Sequence, residues 1–93
     1  MPFTHVEGRK AADVLLYALS TCPWCRKTKE LLNSLGVAYR YVDVDLAVGD
    51  ERAEVVAAVK KWNPALSFPV LVIDGERAII GLREADIRAA VGA

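Results

Sequence analysis

Residues 14–36 read VLLYALSTCPWCRKTKELLNSLG, and the reading of this stretch decides the fold. Val14 to Leu19 is an apolar run too short for a helix and suited to a strand buried on both faces. From Pro23 onward, Thr28, Leu31, Leu32 and Leu35 recur at helical spacing, and Gly36 supplies the stop. Between strand and helix stand the only two cysteines of the chain, Cys22 and Cys25, separated by Pro23 and Trp24. Pro23 fits the first helical position, where its missing amide hydrogen would have had no intrahelical partner and its fixed φ already suits a helix. Cys22 is therefore expected at the turn before the helix and Cys25 inside its first turn.

That placement has a chemical consequence. A sulfur at a helix start meets unpaired backbone amides and the positive end of the helix dipole, both of which favour thiolate over thiol. A dipole contribution of up to about 2 kcal/mol would take a free thiol from about 8.5 to about 7. Cys22, on the loop side, is expected to attack a substrate disulfide, and Cys25 to resolve the mixed disulfide, so that the pair cycles through a Cys22–Cys25 disulfide. Arg26, Lys27 and Lys29 follow closely. Cations oppose the dipole at a helix start, so they favour a role with a thiolate or anionic substrate, with an ordinary solvated basic face as the alternative. A purely stabilising disulfide would close only a four-residue ring, a weak constraint on the unfolded chain.

The competing use of two such cysteines is a metal. Structural zinc sites want four ligands, and the chain offers two cysteines and His5 with no second cysteine pair, so no metal ligand set is expected within one chain. The alternative reading is an iron–sulfur or zinc carrier, with Cys22 of two chains and external thiols completing the ligands.

Outward from this centre, Tyr39, Tyr41 and Asp43 alternate with Arg40, Val42 and Val44 as a half-buried strand. Asp50 to Trp62 carries Val55, Val59 and Trp62 on one face, with acidic residues early and Lys60 and Lys61 late, which complements a helix dipole. Val70 to Ile73 and Ala78 to Ile80 flank Asp74-Gly75, a strong hairpin signal. Arg83 to Val91 closes the chain as a short helix. The expected architecture is α/β, a four-stranded mixed sheet flanked by three helices, with residues 1–13 a short N-terminal extension of one domain spanning 1–93. The first connection should join parallel neighbours.

With 93 residues, 54% of them hydrophobic, the chain can bury one core and is too short for two. Twelve basic and twelve acidic side chains cancel, which argues against nucleic acid or an anionic membrane as partner. No apolar run approaches the roughly 18 residues of a membrane span, and residues 1–13 lack the apolar stretch of a signal peptide, so the chain is expected in the cytoplasm. A monomer is expected, although the sequence itself leaves the oligomeric state open.

The segments YALSTCPWCRKTKELLNSLGV, YRYVDVDL, SFPVLVIDG and IIGLREADI together resemble the glutaredoxins and the small glutaredoxin-like redoxins, over nearly everything after Asp13. The resemblance implies a thioredoxin fold and thiol–disulfide exchange. It identifies Pro69 with the family's cis-proline, whose preceding residue, Phe68, would offer its backbone to a bound thiol peptide; by itself, Pro69 could simply begin an edge strand. It also implies substrate contacts from Trp24 between the cysteines and from Gly81, Leu82 and Arg83 before the last helix, although Gly81 is equally an ordinary turn glycine. Glutathione-dependent members usually carry a lysine shortly before the cysteines and a double-glycine, acidic pattern ahead of the last helix. Here Ala18 to Thr21 has no lysine, and Ile80 to Glu84 has one glycine. In that respect the chain resembles the glutaredoxin-like hydrogen donors of ribonucleotide reductase and the redoxins of archaea and anaerobes. The resemblance implies no bound cofactor. It implies instead an external reductant (glutathione, another low-molecular-weight thiol or a reductase) and, as substrates, disulfide-containing proteins or mixed-disulfide adducts.

Overall fold

The structure is a computed structural model that describes residues 3–92. In chain order the elements are β1 (Thr4–Val6), β2 (Val14–Ala18), α1 (Pro23–Ser34), β3 (Tyr39–Asp43), a single 3-10 turn (Val44–Leu46), α2 (Gly49–Trp62), β4 (Val70–Ile73), β5 (Arg77–Ile80) and α3 (Glu84–Ala90). The sheet order is β1-β3-β2-β4-β5, with β2 and β3 parallel and every other pairing antiparallel.

The sheet therefore has five strands rather than the expected four. The extra strand is β1, which pairs antiparallel with β3, His5 lying opposite Arg40. Residues 3–13 are not a loose lead but a strap sewn to the sheet. The Arg9 amide donates to Gly36 O at 2.8 Å, and the Ala38 amide donates to Arg9 O at 2.8 Å. The Asp13 amide donates to Asp74 Oδ1 at 2.9 Å and the Asp74 amide to Asp13 O at 2.8 Å. Gly8 lets the strap lie so close, because a Cβ there would come within 2.6 Å of the Val37 carbonyl carbon.

Alternation along β2 sends side chains to both faces, as its apolar run required. Val14, Leu16 and Ala18 join Tyr39, Leu71, Ile73 and Ile79 on one face, against Leu32 of α1 and Ile87 of α3. Tyr17 joins Val42, Val70 and Val72 on the other, against Val55 and Val59 of α2. Trp62 packs against that second cluster, as its helical spacing with Val55 and Val59 suggested. Each fully buried aliphatic side chain contributes about 1.5–3 kcal/mol, so these two layers supply most of what opposes chain entropy. The β4–β5 hairpin turns at Asp74 and Gly75, with φ of 56° and 65°, the paired positive values that a type I′ turn demands. No helix among the described residues is long and apolar enough to cross a membrane.

Candidate active site

The topology gathers the sequence-predicted residues at one end of the sheet. Parallel β2 and β3 finish side by side, with Ala18 beside Asp43. Antiparallel β4 starts at that same end, with Val70 opposite Tyr17 on one side and Ile80 of β5 on the other. The loops that carry Cys22, Phe68-Pro69 and Gly81 to Arg83 all leave from there, and the Gly81 amide donates to Pro69 O at 2.9 Å.

Cys22 is the N-cap of α1. The chain reaches it through a tight turn, in which the Cys22 amide donates to Leu19 O at 3.2 Å. Its extended backbone turns the side chain back over the helix start, and Sγ accepts the Cys25 amide at 3.2 Å. This is the bond a serine or aspartate oxygen would make at an N-cap, with sulfur in its place. Pro23 occupies the first turn as expected. Both cysteines are free thiols; Cys22 is partly exposed, whereas Cys25 is fully buried.

Burial pushes the Cys25 thiol up to about 12, with further upward contributions from its hydrogen bond to Cys22 and from the Cys22 charge; the Leu19 backbone and Lys29 oppose these. The two sulfurs thus differ in access, and the buried one keeps its proton firmly.

The cations of α1 divide. Lys29 is engaged with Asp43 Oδ1 at 3.0 Å and lies 4.2 Å from the centre of the Tyr41 ring. Lys27 stands 4.9 Å from the centre of the Trp24 ring, whose indole is 56% exposed beside Cys22. Arg26 is exposed.

The Phe68–Pro69 peptide is cis. Pro69 is buried, and Phe68 is half-buried between the two core clusters. Gly81 adopts φ of 84°. Leu82 packs against the α1 and α3 side of the core, and Arg83, exposed, stands at the N-cap position of α3 without a side-chain capping bond, its Nε donating instead to Ile80 O at 3.2 Å.

His5, considered as a third metal ligand, stands on edge strand β1, separated from β2 by β3. Among the described residues, no group of three or more His, Cys, Asp and Glu side chains comes together to hold a metal ion.

The site also contains a contact that the sequence does not mark. Asp45, in the turn after β3, accepts the Ser20 amide on Oδ1 at 2.8 Å and the Ser20 hydroxyl on Oδ2. Those hydrogen bonds hold its carboxyl below the usual carboxylate range. A contact 25 residues apart in sequence between two exposed polar residues carries no periodic signal.

The glutaredoxin family model matches residues 14–78, from the first residue of β2 into β5. The chain belongs to the glutaredoxin family. It is 36% identical, over 80% of its length and 91% of the relative's, to an uncharacterised glutaredoxin-like 8.6 kDa protein in the rubredoxin operon of Clostridium pasteurianum. Its fold is similar to the glutaredoxin of Methanosarcina mazei, with a TM-score of 0.90 and 46% identity over 98% of this chain and 88% of that one. It is likewise similar to the methanoredoxin of Methanosarcina acetivorans, with a TM-score of 0.89 and 43% identity over 92% and 90% of the two chains. The chain spans roughly half to three fifths of the plant glutaredoxins it matches. Membership of the family, with a Cys22/Cys25 pair on a thioredoxin-like fold, supports a thiol–disulfide redox function.

Proposed function

We propose that the protein reduces disulfides by dithiol exchange, with Cys22 as the attacking sulfur and Cys25 as the resolving one. The observation that carries this reading is the asymmetry of the pair: Cys22 caps α1 and reaches solvent, while Cys25 is buried behind it and holds its proton up to about 12. The Cys22 thiolate attacks one sulfur of a substrate disulfide. The substrate bond breaks, one substrate thiolate leaves and takes a proton from water, and Cys22 is held in a mixed disulfide.

The second step follows from the same contacts. With Cys22 tied up, its sulfur no longer carries the charge that discourages a second thiolate, and it no longer holds the Cys25 hydrogen bond. Two of the causes that keep the Cys25 proton are thereby removed, while Lys29 still favours the anion. Cys25 gives up its proton to water, attacks the Cys22 sulfur, and expels the second substrate thiolate, which takes a proton from water in turn. Two electrons have passed to the substrate, and Cys22–Cys25 is left as a disulfide for an external thiol or a reductase to restore.

Phe68 and Pro69 form the platform for the substrate chain in this proposal, since among the described residues the Phe68 main chain makes no backbone hydrogen bond and is free to pair with an added strand. Trp24, Gly81, Leu82 and Arg83 flank it. The substrates are protein disulfides or mixed-disulfide adducts, the working form is a monomer, and the compartment is the cytoplasm. The missing lysine before Cys22 and the single glycine before α3 favour a donor other than glutathione alone.

Paired substitutions test the roles. Cys22→Ser is expected to abolish disulfide reduction, and Cys25→Ser to accumulate mixed disulfides visible by mass. Full dithiol reductase activity in Cys22→Ser would reject the assignment. A panel of glutathione, a monothiol of different charge, and thioredoxin reductase, offered to the oxidised protein, identifies the donor class.

A further inference from the structure

The contact between Ser20 and Asp45 joins two loops at the end of the sheet that carries Cys22. Ser20 and Thr21 are the central residues of the turn closed by the Cys22 amide on Leu19 O at 3.2 Å. Asp45 holds the first of them by both donors, main-chain and hydroxyl. It does so from the 3-10 turn that follows β3, and β3 is fixed beside β2 through the register Ala18 to Asp43. The carboxylate is therefore anchored to the sheet, while the turn it grips leads directly into the N-cap.

The contact fills no core, because both residues are exposed. Without Asp45, the Ser20 amide and hydroxyl would be satisfied by water, so the fold does not depend on the pair. What depends on it is the direction from which the chain enters α1. That direction decides whether Cys22 Sγ lies over the helix start, where it accepts the Cys25 amide at 3.2 Å. A sulfur that leaves this position loses both the amide hydrogen bond and its alignment with Cys25, the group that must attack it.

We propose that Asp45 is a positioning residue for Cys22, acting through Ser20 as a two-point clamp on the turn that presents the sulfur. The proposal rests on the reading of Cys22 as the attacking group. It opposes a simple charge effect, since a carboxylate near a thiolate would by repulsion make the sulfur less reactive, and its removal would then speed the reaction.

The test compares three variants of the full chain, Asp45→Ala, Asp45→Asn and Ser20→Ala. The rate of Cys22 alkylation by iodoacetamide at pH 7, the rate of disulfide reduction, and the thermal midpoint are measured for each. A clamp predicts that Asp45→Ala loses about three- to tenfold in both rates, the scale of a small misplacement of a reacting group, at a thermal midpoint close to that of the unaltered protein. Asp45→Asn should restore most of the loss, because its amide oxygen still accepts the Ser20 amide and its nitrogen can donate to the Ser20 hydroxyl. Ser20→Ala should fall between them, keeping the main-chain bond alone. The proposal is overturned if Asp45→Ala reacts as fast as or faster than the unaltered protein. It is equally overturned if Asp45→Asn is as slow as Asp45→Ala, or if the rates fall only in step with the thermal midpoint. An unaltered protein whose Cys22 alkylates readily but which reduces no disulfide would defeat the proposed function and leave the clamp standing.

Discussion

Replacing Cys22 by alanine should change how Cys25, a residue that the substitution does not touch, holds its proton. The Cys25 thiol is raised to about 12, first by burial, second by its hydrogen bond to Cys22, and then by the charge on Cys22 against the opposing Leu19 backbone and Lys29. Cys22→Ala deletes the hydrogen bond and the charge, and it leaves the burial. The Cys25 thiol of the variant should therefore titrate below about 12 yet still above the ordinary thiol range. The difference is large enough to measure well short of the alkaline limit. At pH 9 an ordinary exposed thiol is about three quarters thiolate, whereas one titrating near 12 is only about 0.1% thiolate, a gap of roughly 750-fold in the reactive species. The assay is an NMR titration of the Cys25 Cβ carbon shift between pH 7.5 and 10.5, in the unaltered protein and in Cys22→Ala, which needs no reagent to reach the buried sulfur. At every pH in that window the variant's Cys25 should have moved further towards its thiolate shift. A Cys25 that titrates no lower in Cys22→Ala would refute the coupling, and with it the account of how the resolving step is released.

Two further expectations concern the fold. Gly8→Ala would place a Cβ 2.6 Å from the Val37 carbonyl carbon and 2.7 Å from both Ala38 N and Gly36 O, all backbone atoms, so the strap must shift. The expected cost is about 1–3 kcal/mol in urea unfolding, with the Cys22 alkylation rate unchanged; an unaltered urea midpoint would contradict the close approach. Stability should also fall on the alkaline side, because Cys25, Tyr17 and Tyr39 all titrate above their ordinary values, chiefly through burial. The unfolded chain releases these protons first, so their contribution is complete below about 9 and drains away as pH rises towards the folded values. Urea midpoints at pH 7, 9 and 10.5 should decline in that order, and less steeply in Cys25→Ser; a rising series would contradict the burial of these groups.

What the sequence disclosed and what it hid divide along a physical line. The elements from Val14 onward were legible because each buries a face: β2 reads as an unbroken apolar run, and Leu32 of α1 and Val55 and Val59 of α2 recur at the helical period. Asp74-Gly75 named its own turn. Strand β1 was missed because two of its three residues are exposed and it exists through backbone pairing with β3, which leaves no hydrophobic signature. Gly8 was silent for a related reason: its role is a close approach of main chains remote in sequence, and no local pattern marks it. In the site, Cys22 and Cys25 were legible from their spacing and from Pro23, since helix starts obey local rules. The isomer before Pro69 and the roles proposed for Trp24, Phe68, Gly81, Leu82 and Arg83 came only through family resemblance. The Ser20–Asp45 clamp came from neither, because a polar contact between two loops depends on the finished sheet that brings their ends together.

The central claim is that two chemically identical thiols, three residues apart, are made unequal by their places at one helix start, Cys22 capping it within reach of solvent and Cys25 buried behind it. Its most direct test is limited labelling of the fully reduced protein at pH 7 with less than one equivalent of iodoacetamide, followed by peptide mapping. The account predicts that the label falls on Cys22, and that Cys25 accepts it only once the protein is unfolded. Label on Cys25 first, or equally on both, would contradict it.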